Sequence, residues 1–324
     1  MLLKLVLLGA GSAVLVLLAL VVIPDENDYA MVSVDKHARL AADVPRKLVF
    51  VGGSNLSYGL DSVAVERELG VFVVNMGLNA HLGLRFMLDE VKPALRPGDS
   101  VVLSLEYEVF FQPVDGYGMD QLALVKVRPS SLRYLRTWGQ WRGVVKALQL
   151  AVQEKLERTI RAAIGQPRRM KPYVELKTQV ETRAGTNEYG DLTSHLAMKW
   201  PYPLWRDRGL KVPTFNSDCV AVLRRFEEEM RNRGVRVLYV HPPVNRSYYE
   251  DEKEAIELAH TRLREGVPFE IAAPARYVFP DAMFFDMVYH LNAEGRAVRT
   301  ARVIADLRPH LTALTTIPPR PTAR

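Results

Sequence analysis

Four short stretches of uninterrupted apolar residues, each ending in a polar or glycine turn, set the rhythm of this chain. Lys47 to Val51 runs into Gly52-Gly53-Ser54-Asn55, and Val71 to Val74 into Asn75-Met76-Gly77. Ser100 to Leu105 runs into Glu106-Tyr107, and Val235 to Val240 into His241-Pro242-Pro243. A weaker run, Pro268 to Ile271, makes a fifth. None alternates between apolar and polar positions, so each predicts a strand buried on both faces. Helical periodicity fills the gaps over Leu84–Leu95, Asp218–Arg233, Glu250–Glu265 and Ala293–Leu307, the first two closed by Pro97-Gly98 and Gly234. This alternation predicts an α/β fold with a parallel sheet of about five strands and helices on both faces. Ligands of such sheets bind outside the carboxyl ends of the strands, where the polar turns gather.

Two regions break the rhythm. From Leu2 to Ile23 every residue is apolar or small except Lys4 and Ser12. About 20 such residues are enough to cross a bilayer as a helix. Lys4 precedes the run and Asp25, Glu26 and Asp28 follow it, which predicts an N-terminal transmembrane helix over 1–24 with the rest exported. A cleavable signal peptide is the competing reading, although no small-x-small pattern follows Ile23. The second region, about 112–216, reads as a mainly helical insertion. Val145, Leu148, Val152, Leu156, Ile160 and Ala163 recur there at helical spacing, and Arg128 to Lys171 holds eleven Lys or Arg against Glu154 and Glu157. Such a segment either docks on the core with a solvated basic face or rests on an anionic surface. The remaining boundaries are a linker over 25–46, an α/β domain over 47–314 and a loose, proline-containing tail over 315–324.

The chain has 324 residues, is 48% hydrophobic and carries 43 Lys and Arg against 37 Asp and Glu, a formal net charge of +6. A packed core is therefore feasible. Cys219 is the only cysteine, which excludes an intrachain disulfide and a thiolate metal cluster. The seven histidines show no metal-ligand spacing, and no phosphate-binding glycine loop occurs, so no metal and no cofactor is expected. Export also argues against nucleic acid as a partner.

The chemistry concentrates in two distant turns. A serine becomes a nucleophile when a base takes its proton, a third group orients that base, and fixed donors receive the developing oxyanion. Ser54 follows two glycines at the end of the first strand, where its hydroxyl can be exposed. His290 lies just before the last helical pattern, with Asp286 four residues earlier. The plainer alternatives are helix caps: Ser54 or Asn55 at one turn, His290 or Asn292 at the other.

Taken together, the two turns resemble the SGNH, or GDSL-like, hydrolase superfamily, over about Lys47–Phe111 and Val235–Leu307. Gly52-Gly53-Ser54-Asn55 stands where that family has Gly-Asp-Ser, Asn75-Met76-Gly77 where its oxyanion glycine lies, and Phe285-Asp286 with His290-Leu291-Asn292 where its acid and base lie. Gly53 replaces the family's Asp, the Asp-to-His spacing is four rather than three, and Ser104-Leu105-Glu106-Tyr107 replaces a Gly-x-Asn-Asp block. The resemblance implies a flavodoxin-like sheet, with Ser54 as nucleophile, His290 as base and Asp286 as its orienter. It also implies oxyanion donors from the Ser54 and Gly77 N–H groups with the side chain of Asn79 or Asn55. Glu106 either orients a substrate hydroxyl, fixes an arginine or forms a structural salt bridge.

With the N-terminal run and Glu106-Tyr107-Glu108, the chain looks like exported SGNH-like proteins of polysaccharide and cell-envelope acylation. That implies an O-acyltransferase or esterase acting on a cell-surface polysaccharide from the outer side of the cytoplasmic membrane. A transferase would need a multispanning membrane acyl-donor partner. The alternative is a non-catalytic binding or assembly protein of polysaccharide export on the same fold.

Overall fold

A strand covered on both faces needs apolar residues at every position, and Lys47–Gly52 is buried throughout its length, as is Ser100–Ser104. The structure is a computed structural model and describes residues 26–166, 170–206, 209–269 and 272–312, along with Lys4 and Gly11. The expected anchor (1–24) and tail (315–324) otherwise lie outside the described residues. Among those described, no helix is long and apolar enough to cross a membrane.

In chain order the elements are α1 (Val32–Leu40), β1 (Lys47–Gly52), α2 (Ser54–Gly59), α3 (Ser62–Leu69), β2 (Phe72–Asn75), α4 (Leu84–Val91), β3 (Ser100–Ser104), α5 (Gly118–Val127), α6 (Trp138–Ala163) and α7 (Pro172–Val180). There follow α8 (Ser217–Asn232), β4 (Arg236–Tyr239), β5 (Val244–Asn245), α9 (Arg246–Asp251), α10 (Lys253–Gly266), β6 (Val278–Phe279) and α11 (Ala293–Thr312). The main sheet has the order β2-β1-β3-β4, all parallel, and β5 pairs with β6 in a separate small sheet. Successive strand residues point to opposite faces. Val49, Val51, Val101 and Leu103 accordingly join the core under α4 and α8, while Leu48, Phe50, Val73 and Val102 join the core under α3 and α11.

Among the described residues the main sheet has four strands rather than about five. Pro268, which opens the expected fifth run, has no N–H to give a ladder. Pro268 and Phe269 form no regular element, and Glu270 and Ile271 lie outside the described residues. Phe269 instead buries its ring in the core, stacked on Tyr239 at 6.2 Å.

The segment expected as a linker (25–46) is a further correction, because it contains α1. Val32, Lys36 and Leu40 share one helical face and are all buried. The Lys36 ammonium donates to the carbonyls of Asn75 and Gly190 at 2.8 and 2.6 Å. Burial pushes that ammonium down to about 7, against the attraction of Asp191 and Glu90. The insertion (112–216) is built mainly on α5, α6 and α7 and is fastened to the sheet by the buried Asp191. Its carboxylate accepts from Ser62 N and Oγ, Asn75 Nδ2 and Arg296 at 2.6–3.1 Å.

From β1 the chain goes to β2 on one side and then returns to β3 on the other. The turns after β1 and β3 therefore part at the carboxyl edge and open a crevice. Ser54 and Glu106 belong to those two turns.

Candidate active site

Gly53 is the N-cap of α2, and Ser54 is its first helical residue rather than a cap. The Ser54 hydroxyl meets Nε2 of His290 at 2.8 Å, and Nδ1 of His290 meets Oδ1 of Asp286 at 2.7 Å. The acid and base sit in one tight loop. Phe285 N donates to His290 O at 2.7 Å, His290 N donates to Met287 O at 3.1 Å, and Phe284 bridges Leu291. This turn absorbs the extra residue between Asp286 and His290. The insertion clamps it from outside, since Trp205 N donates to Asp286 O at 2.7 Å.

Asp286 and His290 are buried, whereas Ser54 is half-buried at the cleft. Burial pushes the Asp286 carboxyl up, but the charge and hydrogen bond of His290, joined by Lys177, outweigh it and hold the group below its ordinary value. The Lys177 ammonium lies 4.0 Å from Asp286 Oδ2. An ionised Asp286 on Nδ1 fixes the tautomer in which Nε2 is free to accept the serine proton.

Sequence reasoning missed Tyr58. Its ring lies flat on the His290 imidazole, centroids 3.6 Å apart and planes 8° apart, and its hydroxyl donates to Glu181 Oε1 at 3.0 Å. Ser54 and Tyr58 are one helical turn apart and share a face of α2, so the i, i+4 spacing was the available signal.

Among the described residues Glu106 accepts no hydrogen bond from an arginine and forms no salt bridge, although its charge favours the buried Arg299 cation. Its buried carboxylate accepts the Gly53 N–H at 3.1 Å and the Asn55 N–H at 2.9 Å, pinning the residues on both sides of Ser54. A Cβ on Gly53 would lie 2.4 and 2.5 Å from the two Glu106 oxygens. This contact gives a physical reason for glycine, rather than aspartate, before Ser54.

The expected oxyanion donors divide. Ser54 N–H, first in α2, has no intrahelical acceptor. Asn79 lines the cleft and gives one amide proton to Asp120 at 2.7 Å, which leaves its NH2 a second proton to donate. Two expectations are corrected. The Gly77 N–H donates to Asn75 Oδ1 at 3.0 Å, and the role of Gly77 is steric, because a Cβ there would lie 2.3 Å from Leu56 Cβ and 2.7 Å from Gly53 O.

Asn55 is fully buried and points inward. Its amide donates to Ser104 O at 2.9 Å, and its Oδ1 accepts from Arg299 at 2.8 Å and Ser104 Oγ at 3.2 Å. Arg299, itself fully buried, also holds Asn55 O at 2.6 Å, and burial lowers it to about 10.

The cleft beside Ser54 has a volume of about 210 Å³. Its walls carry the aromatic rings of Tyr29, Trp205 and Tyr289, the carboxylates of Glu106, Glu108 and Glu181, and Lys177. No cluster of three or more His, Cys, Asp or Glu residues suited to a metal occurs among the described residues.

No family model matches the sequence, and no curated protein does. Among solved structures, the lipase/acylhydrolase from Enterococcus faecalis is similar at 14% identity over 82% of this chain and 96% of that chain. The TM-score of 0.36 is too low for that likeness to carry an argument, so the functional reading rests on the site itself.

Proposed function

We propose that this chain is a serine-dependent acyl-transfer enzyme, an O-acyltransferase or esterase of the SGNH-like kind, anchored by its N-terminal run and acting on a cell-surface polysaccharide. One observation carries the chemistry: the unbroken line from Ser54 Oγ through His290 to Asp286, with contacts of 2.8 and 2.7 Å at a cleft edge. Ser54 Oγ attacks the acyl carbonyl carbon while its proton passes to His290 Nε2. Asp286 and the face of Tyr58 stabilise the imidazolium. The oxyanion is received by the Ser54 N–H and the Asn79 amide. His290 then protonates the leaving group, and the acyl group remains on Ser54. An acceptor hydroxyl, from a sugar or from water, gives its proton to His290 and attacks the acyl carbon, releasing ester or acid and restoring Ser54.

The cleft walls support the choice of acceptor. Carboxylates accept hydrogen bonds from sugar hydroxyls, and rings such as Trp205 pack on sugar faces. The three glutamates disfavour a uronate or phosphate chain and favour a neutral or amino sugar.

A second reading, a non-catalytic polysaccharide-binding protein on this fold, is favoured by one observation. The Gly77 N–H and the Asn55 amide are both engaged inside the fold, leaving a sparse oxyanion site. Losing one such donor costs about 10² to 10³ in rate. A fluorophosphonate probe separates the two readings. Catalysis predicts labelling of Ser54 that is abolished by His290→Ala, and a binding protein stays unlabelled while still retaining polymer.

A further inference from the structure

We infer that α6 is a membrane-surface arm that lies on an anionic bilayer. Helix α6 has 26 residues and begins with a full capping box, in which Thr137 and Gln140 exchange hydrogen bonds with each other's backbone. Only Gln140, Val144 and Ala147 are buried along it, and every residue from Gln153 to Gln166 is exposed, so its second half projects from the body.

Val144, Ala147, Leu148 and Ala151 pack against the body, but a second set of apolar residues of α6 does not. At about 100° per residue, Trp138, Trp141, Val145, Val152, Leu156 and Ile160 fall within roughly 100° of the helix circumference, on the side away from Val144 and Ala147. Trp138 is 75% exposed, Val145 53% and Ile160 52%; with Leu156 exposed and Trp141 and Val152 more covered, they form an apolar stripe that faces solvent among the described residues. A helix carrying such a stripe in water has its partner elsewhere.

Charge complementarity identifies that partner. Arg142 and Lys146 flank the stripe on one side and Lys155 on the other, none with an ion-pair partner among the described residues. The two acids of the helix are already neutralised on the polar face, Glu154 by Arg158 and Glu157 by Arg161, both at 2.7 Å. A second copy laid on the stripe would set cations against cations, whereas anionic headgroups would meet them at the level where Trp138 and Trp141 favour the interface.

The chain also enters the fold beside this arm. Asn27 and Asp28, just after the apolar run of Leu2 to Ile23, pair with Arg183, Ala184 and Thr182 near the end of α7, and Tyr29–Met31 contacts α5, on which α6 packs. A bilayer reached by the N-terminal run is therefore within reach of α6. The arm would add an orienting contact to the anchor, turning the cleft to a fixed height above the membrane.

The test uses the full chain with vesicles of phosphatidylcholine, with or without phosphatidylglycerol, carrying bromine-labelled acyl chains. Tryptophan quenching is compared between the parent and Trp138→Phe/Trp141→Phe, so that the difference reads the arm whether or not the N-terminal run holds the chain. The inference expects a quenching difference in anionic vesicles that is mostly lost in zwitterionic ones and in Arg142→Glu/Lys146→Glu/Lys155→Glu. Absence of a difference in anionic vesicles overturns it, as does a difference indifferent to the charge reversal. Cross-linking of Val145→Cys between copies in place of lipid contact also overturns it. All substituted positions are solvent-exposed, and unaltered thermal melting checks that each variant folds.

Discussion

The turn around Ser54 and the outer half of α6 are opposite solutions to the same problem of what to do with polar and apolar groups. At the turn, the flanking amides meet Glu106, the Asn55 side chain meets Ser104 and Arg299, and His290 is fixed on one edge by Asp286 and on its face by Tyr58. On α6 beyond Gln153, all residues are in solvent and an apolar stripe is left uncovered. The difference teaches where each region's function resides. A reacting group must be held by its own protein before the substrate arrives, whereas a docking surface leaves its contacts to be completed by something else.

The comparison can be broken most forcefully at Ser54. Ser54→Ala should lower ester hydrolysis by about 10⁶-fold while leaving the melting temperature unchanged, since Gly53 rather than Ser54 caps α2. Nitrophenyl acetate turnover together with thermal melting checks both halves. Asp286→Asn should cost about 10⁴-fold in kcat by allowing the wrong imidazole tautomer, with KM little changed, as steady-state kinetics would show.

Glu106→Gln sharpens the contrast. It replaces one carboxylate oxygen with an amide NH2, a donor set against the Gly53 or Asn55 N–H, and a charge-assisted bond of about 1.5–3 kcal/mol is lost. The expected outcome is a fall of roughly 10- to 100-fold in kcat, read with the protein still folded.

A smaller effect is set by pH. Burial pushes the His195 imidazole down to about 4 and that of His241 down to about 3. Each therefore binds its proton more weakly in the folded state than in the unfolded chain, where the ordinary value is 6.5. Their contribution to stability is present above about pH 6.5 and is lost as the pH falls towards 4, at roughly 2 kcal/mol each by pH 5. His195 shows why: its Nε2 meets Leu291 O at 3.0 Å, while its buried Nδ1 has no hydrogen-bond partner for a second proton among the described residues. Melting temperatures between pH 7 and pH 5 should fall accordingly. The smallest effect belongs to the arm, where Leu156→Glu should change stability by less than about 0.5 kcal/mol in urea unfolding, because the side chain is solvent-exposed.

The four main strands were legible because burial on both faces leaves an uninterrupted apolar record. Ser54, Asp286 and His290 were legible because a glycine turn and a short acid–base loop are local patterns. Asn55 was misread for a geometric reason. Successive residues of a helix point about 100° apart, so once Ser54 faces His290, Asn55 faces the core and Tyr58 returns to the His290 side. Glu106 and Arg299 act on the turn after β1 from β3 and α11, across separations that no local pattern encodes. Helix α1 was hidden because its central buried residue, Lys36, is a cation whose partners are carbonyls of β2 and the insertion. The insertion's stripe was visible as a period, but only the packing of Val144 and Ala147 reveals that the stripe faces outward.

The central claim is that Ser54 carries an acyl group by way of His290, and mass spectrometry of the intact chain mixed briefly with nitrophenyl acetate tests it most directly. The account predicts one added acetyl group, mapped to the peptide containing Ser54 and absent in Ser54→Ala and His290→Ala. Acetylation that avoids Ser54, or that persists undiminished without His290, would contradict it.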